Sequence, residues 1–210
     1  MSGSIRGAIV DDHPAILAAL GAAVDAAGDM VLSGTGRTLA DALRLASGAD
    51  VLVCDVQLAG HAEGLRLLEA AAGQRRRAAV LLVSGHGHPS VVRAAFERGA
   101  AGYLDKSAEV GSMIDAIRTI AAGGTAFRAS DLDAVRSSPV RPSDRELQVI
   151  EAVVTGRTNA EIGADLGVSE KTVESHLHRL FDRYGLLSRT ELAVLALQER
   201  WVPQPVGGDG

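Results

Sequence analysis

Five short apolar runs recur along the first half of the chain, each ending in or beside a polar residue, and they leave few folds open. They are Ile5–Val10, Met30–Ser33, Val51–Asp55, Ala79–Ser84 and Gly102–Leu104. Longer Ala- and Leu-rich stretches with helical spacing lie near residues 14–27, 39–47, 62–72, 89–98 and 109–122. Continuous apolar strands belong to a parallel sheet buried on both faces, and a parallel sheet needs crossover helices of this length. The expectation is an α/β domain with a five-stranded parallel sheet in the flavodoxin-like order 2-1-3-4-5. One Trp, two Tyr and three Phe among 210 residues mean that its core is aliphatic.

The rhythm changes after the fifth helix. Residues 125–142 lose the pattern and carry Ser138-Pro139 and Arg141-Pro142, which disfavour a continuing helix. They read as a linker between a first domain over 1–124 and a second over 143–202. The second is all-α. Three of its starts carry the Ser/Thr-x-x-Glu capping signature (Ser143/Glu146, Thr158/Glu161, Ser188/Glu191), and a fourth opens at Ser169. Residues 203–210 read as a disordered tail. The single cysteine, Cys54, excludes an internal disulfide framework and an all-cysteine metal site, and fits a reducing cytoplasm. No apolar run approaches the roughly 20 residues of a membrane span, and Met1–Gly7 does not lead into a secretory signal. A net charge of −5 argues against a globally basic nucleic-acid binder but permits a local patch.

The strand ends carry the chemistry. The first run leads into Asp11-Asp12, the third ends in Asp55, the fourth in Ser84, and the fifth leads into Asp105-Lys106. Ligands of an open parallel sheet bind beyond the carboxyl ends of its strands, so the expected order brings Asp11, Asp12, Asp55, Ser84 and Lys106 to one crevice. Three crowded carboxylates repel unless a cation sits among them, and a hard divalent ion such as Mg²⁺ removes the conflict. A carboxylate beside such an ion can attack phosphorus, while a hydroxyl and an ammonium compensate the phosphoryl oxygens. Taken singly, each Asp is an N-cap, Ser84 a turn residue and Lys106 a solvated lysine; the joint occurrence carries the reading. Cys54 points to the other strand face and reads as a small apolar filler.

Residues 5–122 resemble the receiver domain of two-component response regulators, on Asp11-Asp12, Val51–Asp55, Ser84 and Tyr103-Leu104-Asp105-Lys106. The resemblance implies that Asp55 is the phosphoacceptor and that Mg²⁺ is held by Asp11, Asp12, Asp55 and the Gln57 carbonyl. It implies that Ser84, Tyr103 and Lys106 serve the phosphoryl group, with Ser84 and Tyr103 as the switch pair. The loop after Asp55 departs from the family pattern. Ala59 stands where a proline is usual, the closing glycine comes one residue late at Gly64, and Ser107 replaces a common proline. His61, His86 and His88 lack the spacing of metal ligands and read as loop residues, and Arg75-Arg76-Arg77 as a solvated connection.

In the second domain a short helix, a turn with Leu166-Gly167-Val168 and a helix opening at Ser169 form a helix-turn-helix pattern. Val173, Leu177 and Leu180 fall on the inner face. Residues 143–200 are similar to the LuxR-type DNA-binding domain of the NarL/FixJ family, on Ser143–Glu146, Thr158–Ile162, Val168–His176 and Ser188–Glu191. That similarity implies a recognition helix over Glu170–Tyr184, base contacts from Glu174, Ser175 and His178, and phosphate contacts from Lys171, Thr172, Arg179 and Asn159. The last helix, Glu191–Arg200, would be a dimer contact. Position 174 is often basic in this family and is Glu here. Three basic and three acidic residues cancel over 169–183, so affinity per monomer is expected to be modest and dimerisation important.

The expected function is a cytoplasmic transcriptional response regulator. A sensor histidine kinase phosphorylates it on Asp55 with Mg²⁺, and it binds DNA as a homodimer; it is not expected to be an enzyme. The alternative is an atypical receiver that senses a partner or ligand without phosphorylation. A phosphohydrolase with an aspartyl nucleophile is disfavoured, because Gln57 stands two residues after Asp55 where an acid/base would be needed.

Overall fold

The five apolar runs pair side by side. In the computed structural model they are β1 (Ile5–Val10), β2 (Met30–Gly36), β3 (Val51–Asp55), β4 (Ala79–Ser84) and β5 (Gly102–Asp105). All pairs are parallel and the order is β2-β1-β3-β4-β5. The structure describes residues 4–59, 62–71, 78–85, 89–136 and 141–203. Two compact units divide the chain, residues 1–136 and 137–210.

In the first unit the strands alternate with α1 (Pro14–Ala26), α2 (Leu39–Ala46), α3 (Glu63–Ala71), α4 (Pro89–Glu97) and α5 (Val110–Ala121). Local signals set the helix starts. Pro14 sits at the first turn of α1, where its missing N–H costs nothing, and Thr38 caps α2 by accepting from the Asp41 amide. Every residue of β3 is buried, as its unbroken apolar run requires. The sheet and α5 close over an aliphatic core that includes Ile9, Val53, Leu81, Val83 and Ile117.

Two expectations change. β2 continues past Ser33 to Gly36, with polar Ser33 and Thr35 less buried than the strand ends, because an edge strand needs only one covered face. Residues 125–136, within the stretch read as a linker, carry regular structure. Ala126 bridges to Gly102 on the outer side of β5, and α6 (Ala129–Arg136) packs along α4. The prolines read as helix stoppers stand after α6 and do not oppose it. The basic run at 75–77, the three loop histidines, Ser138-Pro139 and residues 204–210 lie outside the described residues.

The second unit holds α7 (Asp144–Val154), α8 (Asn159–Leu166), α9 (Glu170–Tyr184) and α10 (Arg189–Gln198). Full capping boxes open α7 and α8. Ser169 and Ser188 cap α9 and α10 by accepting from Thr172 and Glu191 amides, although Glu191 returns its carboxylate to the Leu187 amide instead. α10 therefore starts at Arg189, two residues before the expected position. The core is Val149, Ile150, Ile162, Val173, Leu177, Leu180, Tyr184, Leu192 and Trp201, with their neighbours. Among the described residues no helix is long and apolar enough to cross a membrane.

Candidate functional site

The parallel order sets the ends of β1, β3, β4 and β5 in one row, and four of the expected side chains meet there. Asp11 and Asp55 are almost fully buried, 1% and 3% exposed. Each is pinned by a turn of its own backbone: Asp11 Oδ1 accepts from the His13 amide at 2.8 Å, and Asp55 Oδ1 from the Gln57 amide at 3.0 Å. Asp12 Oδ2 accepts from the Ala59 amide at 3.2 Å, tying the loop after β3 to the end of β1. Lys106 Nζ bridges the pair, 2.7 Å from Asp11 Oδ2 and 2.6 Å from Asp55 Oδ2. A cleft of about 360 Å³ opens above them, lined by Asp12, His13, Ile16, Asp55, Gln57, Gly85 and Lys106.

Burial pushes the Asp55 carboxyl above its ordinary range; Lys106 and the Gln57 amide pull it back only in part, and Asp11 adds to the rise. Burial would lower Lys106, but the two carboxylates outweigh it and hold the ammonium charged. Among the described residues the pocket is thus short of positive charge: Lys106 is shared by Asp11 and Asp55, and Asp12 faces the His13 imidazole. Asp11 Oδ2 and Asp12 Oδ1 accept no hydrogen bond among the described residues, although Lys106 and His13 stand at ion-pair distance from them. Ligand atoms of Asp11, Asp12, His13 and Asp55 lie within 4.8 Å of one another. Such a crowded, carboxylate-rich set fits a hard divalent cation.

Ser84 is 5% exposed at the end of β4, and Tyr103 on β5 is fully buried. Burial raises the Tyr103 phenol, an effect that nearby Ser84 offsets in part. The phenol oxygen nevertheless lacks a partner in hydrogen-bond geometry among the described residues.

The altered loop after β3 has a physical reason for its glycine. A Cβ on Gly64 would stand 2.3 Å from the Asp55 carbonyl oxygen and 2.8 Å from Val56 Cα, so only glycine lets α3 approach the end of β3 this closely. Ala59 adopts φ +52°, a left-handed conformation that a proline could not share. Cys54 is buried, and burial pushes its thiol far up, as a filler's environment does.

In the helical unit α9 buries Val173, Leu177, Leu180 and Tyr184 and exposes Lys171, Glu174, Ser175, His178 and Arg179. The turn before it depends on two glycines. Gly167 takes φ +67° as the cap of α8. A Cβ on Gly163 would lie 2.8 Å from the Val168 carbonyl oxygen. Ser175 donates to the Lys171 carbonyl, and Arg179 folds back on Ser175 O at 3.3 Å and His176 Nδ1 at 3.0 Å. Asn159 Oδ1 accepts from Arg189 at 2.9 Å, joining α8 to α10.

Comparison with known families matches residues 8–118 to the response regulator receiver domain and residues 143–196 to the bacterial regulatory proteins of the luxR family. The chain belongs to the two-component response regulators of the NarL/FixJ family. It is 32% identical over 192 residues to the transcriptional regulatory protein UhpA of Salmonella typhimurium, covering 89% of this chain and 94% of that one. It is 27% identical over 202 residues to the transcriptional regulatory protein MctR of Rhizobium johnstonii, covering 92% and 93%. The crystal structure of the response regulator ChrA of a heme-sensing two-component system superposes with a TM-score of 0.54 at 30% identity, over 95% of this chain and all of that one. A structure of RcsB dimers bound to DNA shares the fold, with a TM-score of 0.60 at 17% identity over 93% and 98%.

This response regulator is a DNA-binding transcription factor of the LuxR type. The structure brings Asp11, Asp12, Asp55, Gln57 and Lys106 to one cleft and sets Ser84 and Tyr103 beside each other at its flank. It places the expected DNA-facing side chains on α9, except Asn159, which starts α8. Sequence reasoning missed His13, whose imidazole lies 2.7 Å from Asp12 Oδ1 and 3.0 Å from Asp11 Oδ1. Its place next to two aspartates and before the N1 proline was the available signal. Gly163 was also missed, because close backbone approach leaves no mark in composition.

Proposed function

We propose that this response regulator is switched by phosphorylation of Asp55, with a sensor histidine kinase or a small acyl phosphate as donor, in the cytoplasm. The observation that carries the reading is the cation-poor pocket in which, among the described residues, Lys106 alone bridges two buried carboxylates. In the transfer an Asp55 carboxylate oxygen forms a bond to phosphorus, and the bond from phosphorus to the donor's leaving group breaks, its electron pair departing with the leaving group. Asp11, Asp12, Asp55 and the Gln57 carbonyl would hold Mg²⁺, which supplies charge to the phosphoryl oxygens when bound. Lys106 neutralises one of those oxygens, and the Ser84 hydroxyl donates to another, with Tyr103 following Ser84.

Two copies bind two half-sites through α9, with α10 at the dimer contact. The dimeric, DNA-bound form described for RcsB supports that assembly. Glu174, Ser175 and His178 face base edges, and Lys171, Thr172 and Arg179 face phosphates, after Arg179 unfolds from its own helix. Asn159 would reach phosphate with its amide nitrogen, since its oxygen already accepts from Arg189. Selection from random duplexes, with and without acetyl phosphate, tests the reading. Enrichment of a two-half-site sequence that requires both the donor and Asp55 supports it. Equal enrichment by the parent and Asp55→Asn favours a phosphorylation-independent factor.

A further inference from the structure

We infer that residues 125–136 form a latch over β5 that keeps the Tyr103 ring buried, so that release of this segment and exposure of the ring are one event. The inference is independent of whether Asp55 accepts a phosphoryl group.

The latch is attached at three points. Ala126 pairs with the outer edge of β5: its amide donates to Ala101 O at 2.9 Å, and the Tyr103 amide donates to Ala126 O at 3.0 Å. The approach is this close because residue 102 has no side chain; a Cβ there would stand 2.8 Å from both the Ala126 Cβ and its carbonyl oxygen. Next, the Phe127 ring meets Phe96 of α4 edge-on, with centroids 5.4 Å apart. Finally, Asp131, 4% exposed, accepts from the Arg128 amide at 2.8 Å and faces the Arg128 guanidinium at 3.3 Å, which fastens the first turn of α6. Both Arg128 and Asp131 act electrostatically on the Tyr103 phenol, so the start of α6 stands near it.

The ring itself does not account for its position. Its hydroxyl is fully buried beside Ser84, with no partner in strict hydrogen-bond geometry among the described residues, and a buried phenol that is weakly served gains by reaching water. A covering segment that closes the way out resolves this. Segment and ring share a backbone hydrogen bond, and the segment continues into the chain that leads to the helix-turn-helix unit.

Two variants of the full chain test this. Gly102→Ala drives a methyl group into Ala126 and against Leu81 Cδ1 of β4, and Asp131→Ala removes the fastening of α6 without touching β5. Two readouts are taken: amide exchange over residues 126–136, and nitration of Tyr103 by tetranitromethane on the tryptic peptide Gly99–Lys106. The expected result is exchange faster by roughly tenfold, as loss of a helix cap allows, together with a rise in Tyr103 nitration, while amides of β1 and β3 stay as slow as in the parent. Fast exchange with an unreactive Tyr103 overturns the latch, since burial of the ring then owes nothing to the segment. Unchanged exchange in both variants overturns the named attachments, and loss of protection across β1 and β3 shows a core element instead of a latch.

Discussion

Removing the Lys106 ammonium while keeping its length, as Lys106→Met, isolates the electrostatics of the pocket. The parent lysine makes ion pairs of 2.7 and 2.6 Å to carboxylates that are 1% and 4% exposed, and is itself 14% exposed. Breaking a buried pair by deleting one partner costs about 3–5 kcal/mol, because a charge stays behind unpaired. Here two carboxylates are left, but the open cleft above them lets water relieve part of the loss, which puts the cost at about 3 kcal/mol at neutral pH. At about 2–4 °C per kcal/mol, the melting transition of the first unit falls by roughly 6–12 °C, measured by calorimetry in the presence of a chelator. Adding Mg²⁺ then recovers more stability in the variant than in the parent, because the ion no longer competes with an ammonium; at a hundredfold excess over Kd the gain is about 2.7 kcal/mol. A variant as stable as the parent without metal, or one that Mg²⁺ leaves unchanged, refutes the argument that the pocket is short of positive charge.

Other outcomes follow from the helical unit. Ile162→Ala, at a fully buried core position, costs about 2–5 kcal/mol, read from urea unfolding through Trp201 fluorescence. Gly167→Ala has open space for its methyl group but not the backbone, at φ +67°, and costs about 1–2 kcal/mol in the same assay. Burial would raise Glu146, but the Ser143 amide and hydroxyl and the Arg183 guanidinium outweigh it, and the carboxyl lies below its usual 4.5. Its stabilisation is therefore complete above that value and lost as pH falls through the lowered one, so Glu146→Gln flattens the acid limb of a stability-against-pH curve and leaves the neutral limb's shape unchanged. Lys171→Ala weakens duplex binding alike on all sequences and reduces the slope against log salt by about one.

The parts legible in the sequence were those that periodicity and strand ends encode. An unbroken run such as Val51–Asp55, alternating with helix-spaced stretches, reads as a doubly buried strand, and the parallel order then determines which strand ends share a crevice. The capping pairs at Ser143 and Thr158 marked helix starts to the residue. The misses have equally specific causes. β2 ran past Ser33 because an edge strand tolerates polar residues. The bridge at Ala126 and helix α6 escaped notice because their partners, Gly102 and α4, are tertiary neighbours, and the Arg128–Asp131 fastening does not have the Ser/Thr form of a capping box. His13 joined the pocket through a turn geometry that spacing rules for metal ligands do not include. The demand for glycine at 64 and 163 comes from backbone passing within van der Waals reach, which only coordinates reveal.

Intact-protein mass spectrometry after incubation with acetyl phosphate and Mg²⁺ bears most directly on the switch. The expected result is a single adduct of about 80 Da on the parent, absent after chelation and absent in Asp55→Asn. No adduct on the parent, or one that persists in Asp55→Asn, contradicts the assignment of Asp55 as the group whose covalent state this response regulator reports.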